Sequence, residues 1–279
     1  MDPDNQIFSQ SQKQLIRHIQ VNLPFSMFVD PAWQDVVFSL GLNPEIGLDA
    51  EALDRFGKAD FLKMAEKLHA RGLSVTVHGP FLDLSPGSPD AAIREVTWRR
   101  FRQMIAAIEV FQPKHVVCHA AYDTSRYEFC REQWTANSVE TWQWLAPAVN
   151  ARGARLMLEN VYERSPDDLL EVFQSIHPGP IGCCLDIGHQ AVFSPTPLSE
   201  WIGRLAPFIE HLHIHDNHGD HDAHLPVGSG SIDFNPVADF LAARTPIPVI
   251  TLEPHCLADF QASLAYLERH PILSIFSNT

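Results

Sequence analysis

Histidines and carboxylates recur at one kind of position in this 279-residue sequence, namely the end of a short apolar run. Six of eight such runs carry one at or near the last residue: His78, His119, Glu159, Asp186, His213 and Glu253. Imidazole nitrogens and carboxylate oxygens are donors that hold zinc, manganese and iron in proteins. These residue types therefore indicate a divalent-metal site, provided that the fold brings the ends of the runs together.

Two short motifs add donors in the segments that follow these runs. Asp186-Ile-Gly-His189 and Asp222-Ala-His224 supply two imidazoles and a fourth carboxylate, which makes nine candidate ligands. A single His at a strand end is more often a hydrogen-bonded structural residue. Nine such groups crowded together without a cation, however, would carry a large cost from desolvation and from repulsion between carboxylates. The complete set therefore favours metal binding.

The apolar runs alternate with longer amphipathic stretches, which is typical of βα units around a parallel sheet. The predicted strands are Ile19–Leu23, Pro44–Leu48, Leu73–His78, Lys114–His119, Ala154–Glu159, Ile181–Asp186, Glu210–His215 and Pro248–Glu253. Helices are predicted between them, for example over Lys58–Arg71 and Asp90–Val110. The pattern predicts an α/β chain that folds as a single (β/α)8 TIM barrel over residues 1–279, with residues 1–17 as an N-terminal extension. In that fold the carboxyl ends of all strands meet at one mouth.

The seventh run contains three alternating histidines, His211, His213 and His215. Residues two apart in a strand face the same side, so all three are expected to point into the barrel. Only one of them is needed as a metal ligand, and His213 and His215 remain alternatives on alternation alone. His115, His211 and His255 fit hydrogen-bonded structural positions.

The composition limits the classes of partner. A formal net charge of −14 argues against a general basic surface for nucleic acid or for an anionic membrane. The five cysteines form no Cys-x-x-Cys pair, which favours free thiols in a reducing compartment. A polar start to the chain and the lack of a long apolar run predict a soluble, cytoplasmic protein with no membrane partner.

The ordered motifs of this chain resemble those of one superfamily. They are His78-Gly-Pro-Phe-Leu, Cys118-His119, Leu158-Glu159-Asn160, Leu185-Asp186-Ile-Gly-His189, His213-Ile-His-Asp216, Asp222-Ala-His224-Leu-Pro-Val-Gly228-Ser-Gly230 and Leu252-Glu253-Pro254. In this order the series resembles the endonuclease IV and xylose-isomerase-like TIM barrel superfamily, the AP endonuclease family 2. The resemblance implies a metal-dependent enzyme. It leaves the reaction open, because the superfamily includes abasic-site endonucleases as well as sugar isomerases and epimerases.

The endonuclease branch of that superfamily holds three zinc ions with nine ligands, and all nine have counterparts here. By that resemblance the three groups are His78, His119 and Glu159; Glu159, Asp186, His213 and Glu253; and His189, Asp222 and His224. Glu159 would bridge the first two ions. The isomerase branch needs only the second group.

The full set of nine ligands favours phosphodiester hydrolysis. Three divalent ions would outweigh the four ligand carboxylates and leave a positive site suited to a phosphate, whereas one ion on the second group would leave a negative site suited to a neutral sugar. The imidazole and carboxylate ligands suit up to three zinc ions best, with manganese or iron next. Zinc supplies a hydroxide nucleophile by lowering the pKa of bound water to about 7. The alternative is a sugar or sugar-phosphate isomerase or epimerase that uses Glu159 and Glu253 as acid and base.

The segments after the early strands argue against DNA as the substrate. DNA-acting relatives carry an Arg-bearing loop after the second strand, whereas Gly47–Asp54 has three acids and no base, although Phe81-Leu82 matches their wedge in type. Val21–Phe25, Leu42–Gly47 and His78–Ser88 are similar to the branch of cobamide-remodelling phosphodiesterases. That resemblance implies a small-molecule phosphodiester, the nucleotide loop of a corrinoid cofactor.

Overall fold

Eight parallel strands close into a barrel in the computed structural model, which describes residues 8–270 and 272. The strands are β1 (Gln20–Pro24), β2 (Asn43–Gly47), β3 (Thr76–His78), β4 (His115–His119), β5 (Arg155–Glu159), β6 (Ile181–Asp186), β7 (Ile209–Ile214) and β8 (Val249–Leu252). Neighbours along the chain pair in parallel, and β1 closes the barrel on β8 through the register Gln20 to Thr251. The predicted (β/α)8 TIM barrel is confirmed.

Helices connect the strands around the outside of the barrel. They are α1 (Gln10–Ile16), α2 (Phe25–Phe28), α3 (Pro31–Leu40), α4 (Ala50–Arg55), α5 (Lys58–His69), α6 (Ala91–Phe111), α7 (Thr124–Tyr127), α8 (Arg131–Asn150), α9 (Pro166–Ile176), α10 (Ile187–Phe193), α11 (Leu198–Leu205), α12 (Asn235–Ala242) and α13 (Leu257–Leu267). The two helices predicted by periodicity are confirmed as α5 and α6. Asp90 caps α6 by accepting a hydrogen bond from the backbone amide of Ala92.

The strands follow from apolar runs that are buried on both faces. All six residues of β6 are buried, as expected for a strand of a parallel sheet covered by helices. The third strand is three residues shorter than predicted, because it starts at Thr76 rather than Leu73. At that end the amide of Ser74 donates to the Asn43 side chain instead of to a neighbouring strand.

The interior of the barrel changes character toward its mouth. Val117, Met157 and Cys184 form a small apolar cluster inside it. Glu159 lies two residues beyond Met157 on β5 and therefore faces the same interior, at the carboxyl end. The parallel strands thus place the polar residues of the sequence motifs at the mouth, beyond this small apolar cluster.

The extension predicted for residues 1–17 lies partly outside the described residues. Within the described part, α1 packs on the barrel, with Leu15 and Ile16 buried. All five cysteines are free. Over the residues that the structure describes, helices long and apolar enough to span a bilayer are absent.

Candidate metal centre

Glu159, at the end of β5, lies at the centre of the polar cluster and is buried. Its Oε2 lies 3.0 Å from Nε2 of His78 and 3.5 Å from Nε2 of His119. Its other oxygen, Oε1, lies 3.3 Å from Nδ1 of both His189 and His213. One carboxylate therefore faces two separate groups of imidazoles.

The second group surrounds His213 on β7. Nδ1 of this buried ring lies 3.3 Å from Oε1 of Glu253 and 3.8 Å from Oδ2 of Asp186, in addition to its contact with Glu159. The four residues come from the ends of β5, β6, β7 and β8. The barrel thus assembles the four donors that the sequence placed on different strands.

The third group lies where α10 and the segment after β7 meet. Oδ2 of Asp222 lies 3.3 Å from Nε2 of His189 and 3.1 Å from Nε2 of His224. His215 joins it, with Nε2 3.7 Å from Oδ1 of Asp222 and its ring stacked on that of His224 at 3.9 Å between centroids. All nine residues predicted from the motifs are therefore brought to the mouth, and His215 is added to them.

The alternation of histidines along β7 corresponds to three depths inside the barrel. His211, the deepest, contacts Thr251 and His115, with 2.8 Å from Nε2 to Oγ1 and 3.3 Å between Nδ1 atoms, as a hydrogen-bonded structural residue would. His213 belongs to the second group and His215 to the third. Both residues left open by the sequence thus face the candidate site.

A close backbone approach allows His215 to take its position. Gly188, in α10, lies against the imidazole, and a Cβ atom added there would lie 2.0 Å from Cε1 of His215. The carbonyl of the same glycine accepts a hydrogen bond from the Asn217 side chain. Only glycine fits between the ring and the helix backbone.

Glu45 in the middle of β2 was not predicted as part of the site. The side chain is fully buried, with Oε1 2.9 Å from Nε2 of His213 and Oε2 accepting from the hydroxyls of Thr76 and Thr251. Burial raises the pKa of Glu45, but the charge of His213 and its hydrogen bond outweigh that effect and hold the pKa well below its usual range. A carboxylate on the far nitrogen of a ligand His fixes the ring's tautomer and orientation.

Several buried polar atoms of the cluster have no hydrogen-bond partner. They include Oδ2 of Asp186, Nδ1 of His213, both ring nitrogens of His215 and Oδ1 of Asp222. Unsatisfied buried groups cost about 1–3 kcal/mol each, so their convergence on one mouth calls for a ligand that the protein itself does not supply. Mixed nitrogen and oxygen donors within 4.8 Å of one another fit a divalent metal ion of the zinc, manganese or iron type.

The pKa of His224, in the third group, also indicates a site for a cation. Burial lowers the pKa of His224, but the hydrogen bond that its ring donates to Asp222 and the charge of Glu253 raise it to about 9. His119 differs, because burial lowers its pKa to about 3 despite the nearby charge of Glu159. The carboxylates therefore attract positive charge into the third group, as they would attract a cation.

The segment after β7 is folded around one buried carboxylate. Oδ2 of Asp216 accepts from the amides of Gly228 and Gly230 at 3.0 and 2.9 Å, while Oδ1 accepts from Asn217. A Cβ atom at Gly228 would lie 2.0 Å from the ring of Tyr266. These two glycines therefore serve close packing, and the segment presents Asp222 and His224 from a fixed position.

A cleft of about 490 Å³ opens from the cluster past His119, His189 and Asp222. Phe81 and Leu82 form an exposed apolar lip, and Phe81 stacks on His119 with 4.5 Å between ring centroids. Other lining residues include Arg126. The cleft has room for a substrate larger than a simple sugar.

One known protein family matches most of this chain. The family described as xylose isomerase-like TIM barrel matches residues 44–270. This chain belongs to that family. The superfamily predicted from the ordered motifs is thereby confirmed, and members of this family are enzymes.

Relatives of the chain span most of its length. The uncharacterized proteins MJ1311 and MJ1614 of Methanocaldococcus jannaschii are 28% and 27% identical, over 71% and 70% of this chain and 70% and 77% of theirs. The TTHB071 protein from Thermus thermophilus, in a structure soaked with ZnCl2, is 28% identical, with a TM-score of 0.75 over 90% of this chain and 97% of that one. A D-tagatose 3-epimerase-like protein is 23% identical, with a TM-score of 0.78 over 94% and 98%.

The position of Glu45 leads to a first prediction. Glu45→Gln is expected to weaken metal binding by about 10- to 100-fold, the usual cost of removing a carboxylate that orients a ligand His. Competition with a chelator of known affinity measures the change. Glu163→Gln is the matched control, because Glu163 is equally buried but accepts only backbone amides of Tyr122 and Val161, at 2.8 and 2.7 Å. Unchanged affinity in Glu45→Gln would exclude the positioning role.

Proposed function

We propose that this protein is a divalent-metal-dependent hydrolase of a small-molecule phosphodiester. One observation carries the proposal, the third donor group of His189, Asp222 and His224 beside the central one. A sugar isomerase resembling this chain needs only the central four residues. The third donor group would hold an additional metal ion at the same mouth, which favours a substrate that carries its own negative charge.

The charge of the site supports the same conclusion. Glu45 adds a fifth carboxylate to the four predicted from the motifs, and it is fully buried. One divalent ion would leave this cluster strongly negative and would repel a phosphodiester. Three would leave it slightly positive, which favours binding of an anionic substrate.

Some residues of the site would hold the metal ions, and others would support those ligands from behind. Bound divalent ions lower the pKa of water to produce a nucleophile and neutralise charge on phosphate oxygens. The three ligand groups predicted above would hold those ions, with zinc the best fit to the donors. Asn22 donates to Oε1 of Glu253 at 3.2 Å and, together with Glu45, fixes the inner wall of the site.

The finer substrate proposal is the nucleotide loop of a cobamide. Similarity of three segments to cobamide-remodelling phosphodiesterases motivates it, and the volume of the cleft supports a bulky substrate. DNA fits less well, because Asp49 lines the mouth and the loop around it has no basic residue. An acidic wall there would repel a phosphate backbone.

Sugar epimerisation is the second candidate. It is favoured by the placement of Glu159 and Glu253, whose Oε1 atoms each lie 3.3 Å from Nδ1 of His213. Two carboxylates that share one metal position can serve as acid and base. Several structures of the same fold carry epimerase names, among them the D-tagatose 3-epimerase-like protein and an L-ribulose 3-epimerase.

One set of assays separates the two candidates. Metal-stripped protein, reloaded with zinc, manganese or ferrous iron, is expected to release p-nitrophenolate from bis(p-nitrophenyl) phosphate and to cleave cobamide nucleotide loops faster. Abasic DNA should stay nearly intact, and D-tagatose and D-fructose should not interconvert with their 3-epimers. Epimerisation of either sugar without phosphodiester hydrolysis would reverse the choice.

A further inference from the structure

A second cavity adjoins the candidate metal centre on the side of β1. Its volume is about 260 Å³, and it lies between β1, α3 and the segment from β8 into α13. Asn22, His224 and Glu253 line both this cavity and the mouth of the barrel. A molecule bound at the metal centre can therefore extend into it.

The walls of this cavity are apolar. The lining includes Leu23, Met27, Trp33, Val36 and Phe260, and within the described residues no Lys or Arg lines it. Glu253 and His224 lie at the end shared with the metal centre, and His255, which stacks on His224, and Cys256 are the other ionisable residues of the lining. The cavity thus disfavours a charged or strongly hydrated group, because such a group would lose its water without gaining partners.

The size and the ring-bearing walls indicate the kind of group that fits. An apolar protein cavity of about 150 Å³ is large enough to bind benzene, so 260 Å³ accommodates a substituted ring or two fused rings. Trp33 and Phe260 offer aromatic faces or edges, and the thioether of Met27 makes favourable contacts with rings. These features select a planar aromatic group over a hydroxyl-bearing sugar.

We propose that this cavity is the subsite for an uncharged aromatic group attached to the phosphate of the substrate. The inference rests on the proposed phosphodiesterase function. The metal centre holds the charged phosphate, and the cavity holds the apolar substituent next to it. The substrate class is therefore an aryl-bearing phosphate ester, and the cavity supplies selectivity that the metal ligands alone cannot.

Inhibition by two monoesters tests the subsite. Phenyl phosphate and methyl phosphate carry the same charged group but differ in the organic group. With bis(p-nitrophenyl) phosphate as the substrate, phenyl phosphate is expected to inhibit the zinc-loaded protein at least about tenfold more tightly than methyl phosphate, as an apolar pocket discriminates. Val36→Phe, which fills the cavity, should abolish that preference and leave methyl phosphate inhibition unchanged.

Controls keep the outcomes distinct. Ala32→Phe adds the same ring at an exposed position of α3 that does not line the cavity, and it should retain the preference. Trp33→Ala, which removes one wall, is a second variant should Val36→Phe not fold. Equal inhibition by the two monoesters, or a preference that survives both cavity variants, would overturn the subsite and leave the phosphodiesterase in place. Failure to hydrolyse the substrate would overturn both proposals.

Discussion

Glu159→Gln is expected to lose bound metal and turnover together. Glu159 is the one carboxylate that faces His78 and His119 through one oxygen and His189 and His213 through the other. An amide keeps the shape but removes the charge that would be shared between two ions. Turnover of bis(p-nitrophenyl) phosphate should fall on the order of 10³-fold, and elemental analysis should show fewer ions per chain than in the wild-type protein.

Glu163→Gln controls for the loss of a buried carboxylate. Both residues are about 1% exposed, and Glu163 lies four positions further along the chain. Burial raises the pKa of Glu163 to about 7 against the effect of its backbone hydrogen bonds, so near neutral pH its replacement removes only part of a unit charge. It should retain metal content and most of the activity. Full metal content and turnover in Glu159→Gln would contradict the assignment of this residue.

Replacing both Asp222 and His224 by Ala is expected to empty one metal position and leave the others occupied. These side chains contact His189 and each other at 3.1 to 3.3 Å, whereas the contact of His224 with the central group is longer, at 3.6 Å from Nδ1 to Oε2 of Glu253. Phosphodiester turnover should fall on the order of 10²-fold or more, because stabilisation of a developing charge is lost. Elemental analysis and kinetics on the same preparation measure both effects.

The same loop offers a matched control. Asp220 and His221 form an exposed carboxylate–imidazole pair, with 2.9 Å between Oδ1 and Nδ1, outside the cluster. The double Ala variant at these two positions should keep full metal content and turnover. An Asp222/His224 variant that also keeps both would exclude the third metal position. Selective survival of a sugar epimerase activity in that variant would instead favour the second candidate function.

Most of the fold and much of the cluster could be predicted from the sequence, because each motif ends a strand. His78, His119 and Glu159 are far apart in the chain, yet the rule that parallel strands share one carboxyl edge brings them together. The structure places Nε2 of His78 and Nε2 of His119 within 3.5 Å of Oε2 of Glu159. Local apolar runs and one topological rule were sufficient for this result.

Residues that support the cluster from behind could not be predicted by the same rule, because they do not lie at the end of a strand. Glu45 lies in the middle of β2, beside a proline, and its role depends on His213 and Thr251, which are more than 160 residues away. The signal that could have identified it is a charged residue inside an otherwise buried strand. The group that His215 joins could not be predicted either, because alternation gives the direction of a side chain but not its depth in the barrel.

The contact between Gly188 and His215 restricts how sequences of this family can diverge. A side chain at position 188 would collide with the imidazole, so a lineage that keeps His215 must also keep glycine in its Asp-Ile-Gly-His motif. A lineage that replaces His215 by a smaller residue is released from that requirement. The two positions should therefore vary together across relatives, and their joint state marks which members retain an imidazole beside Asp222.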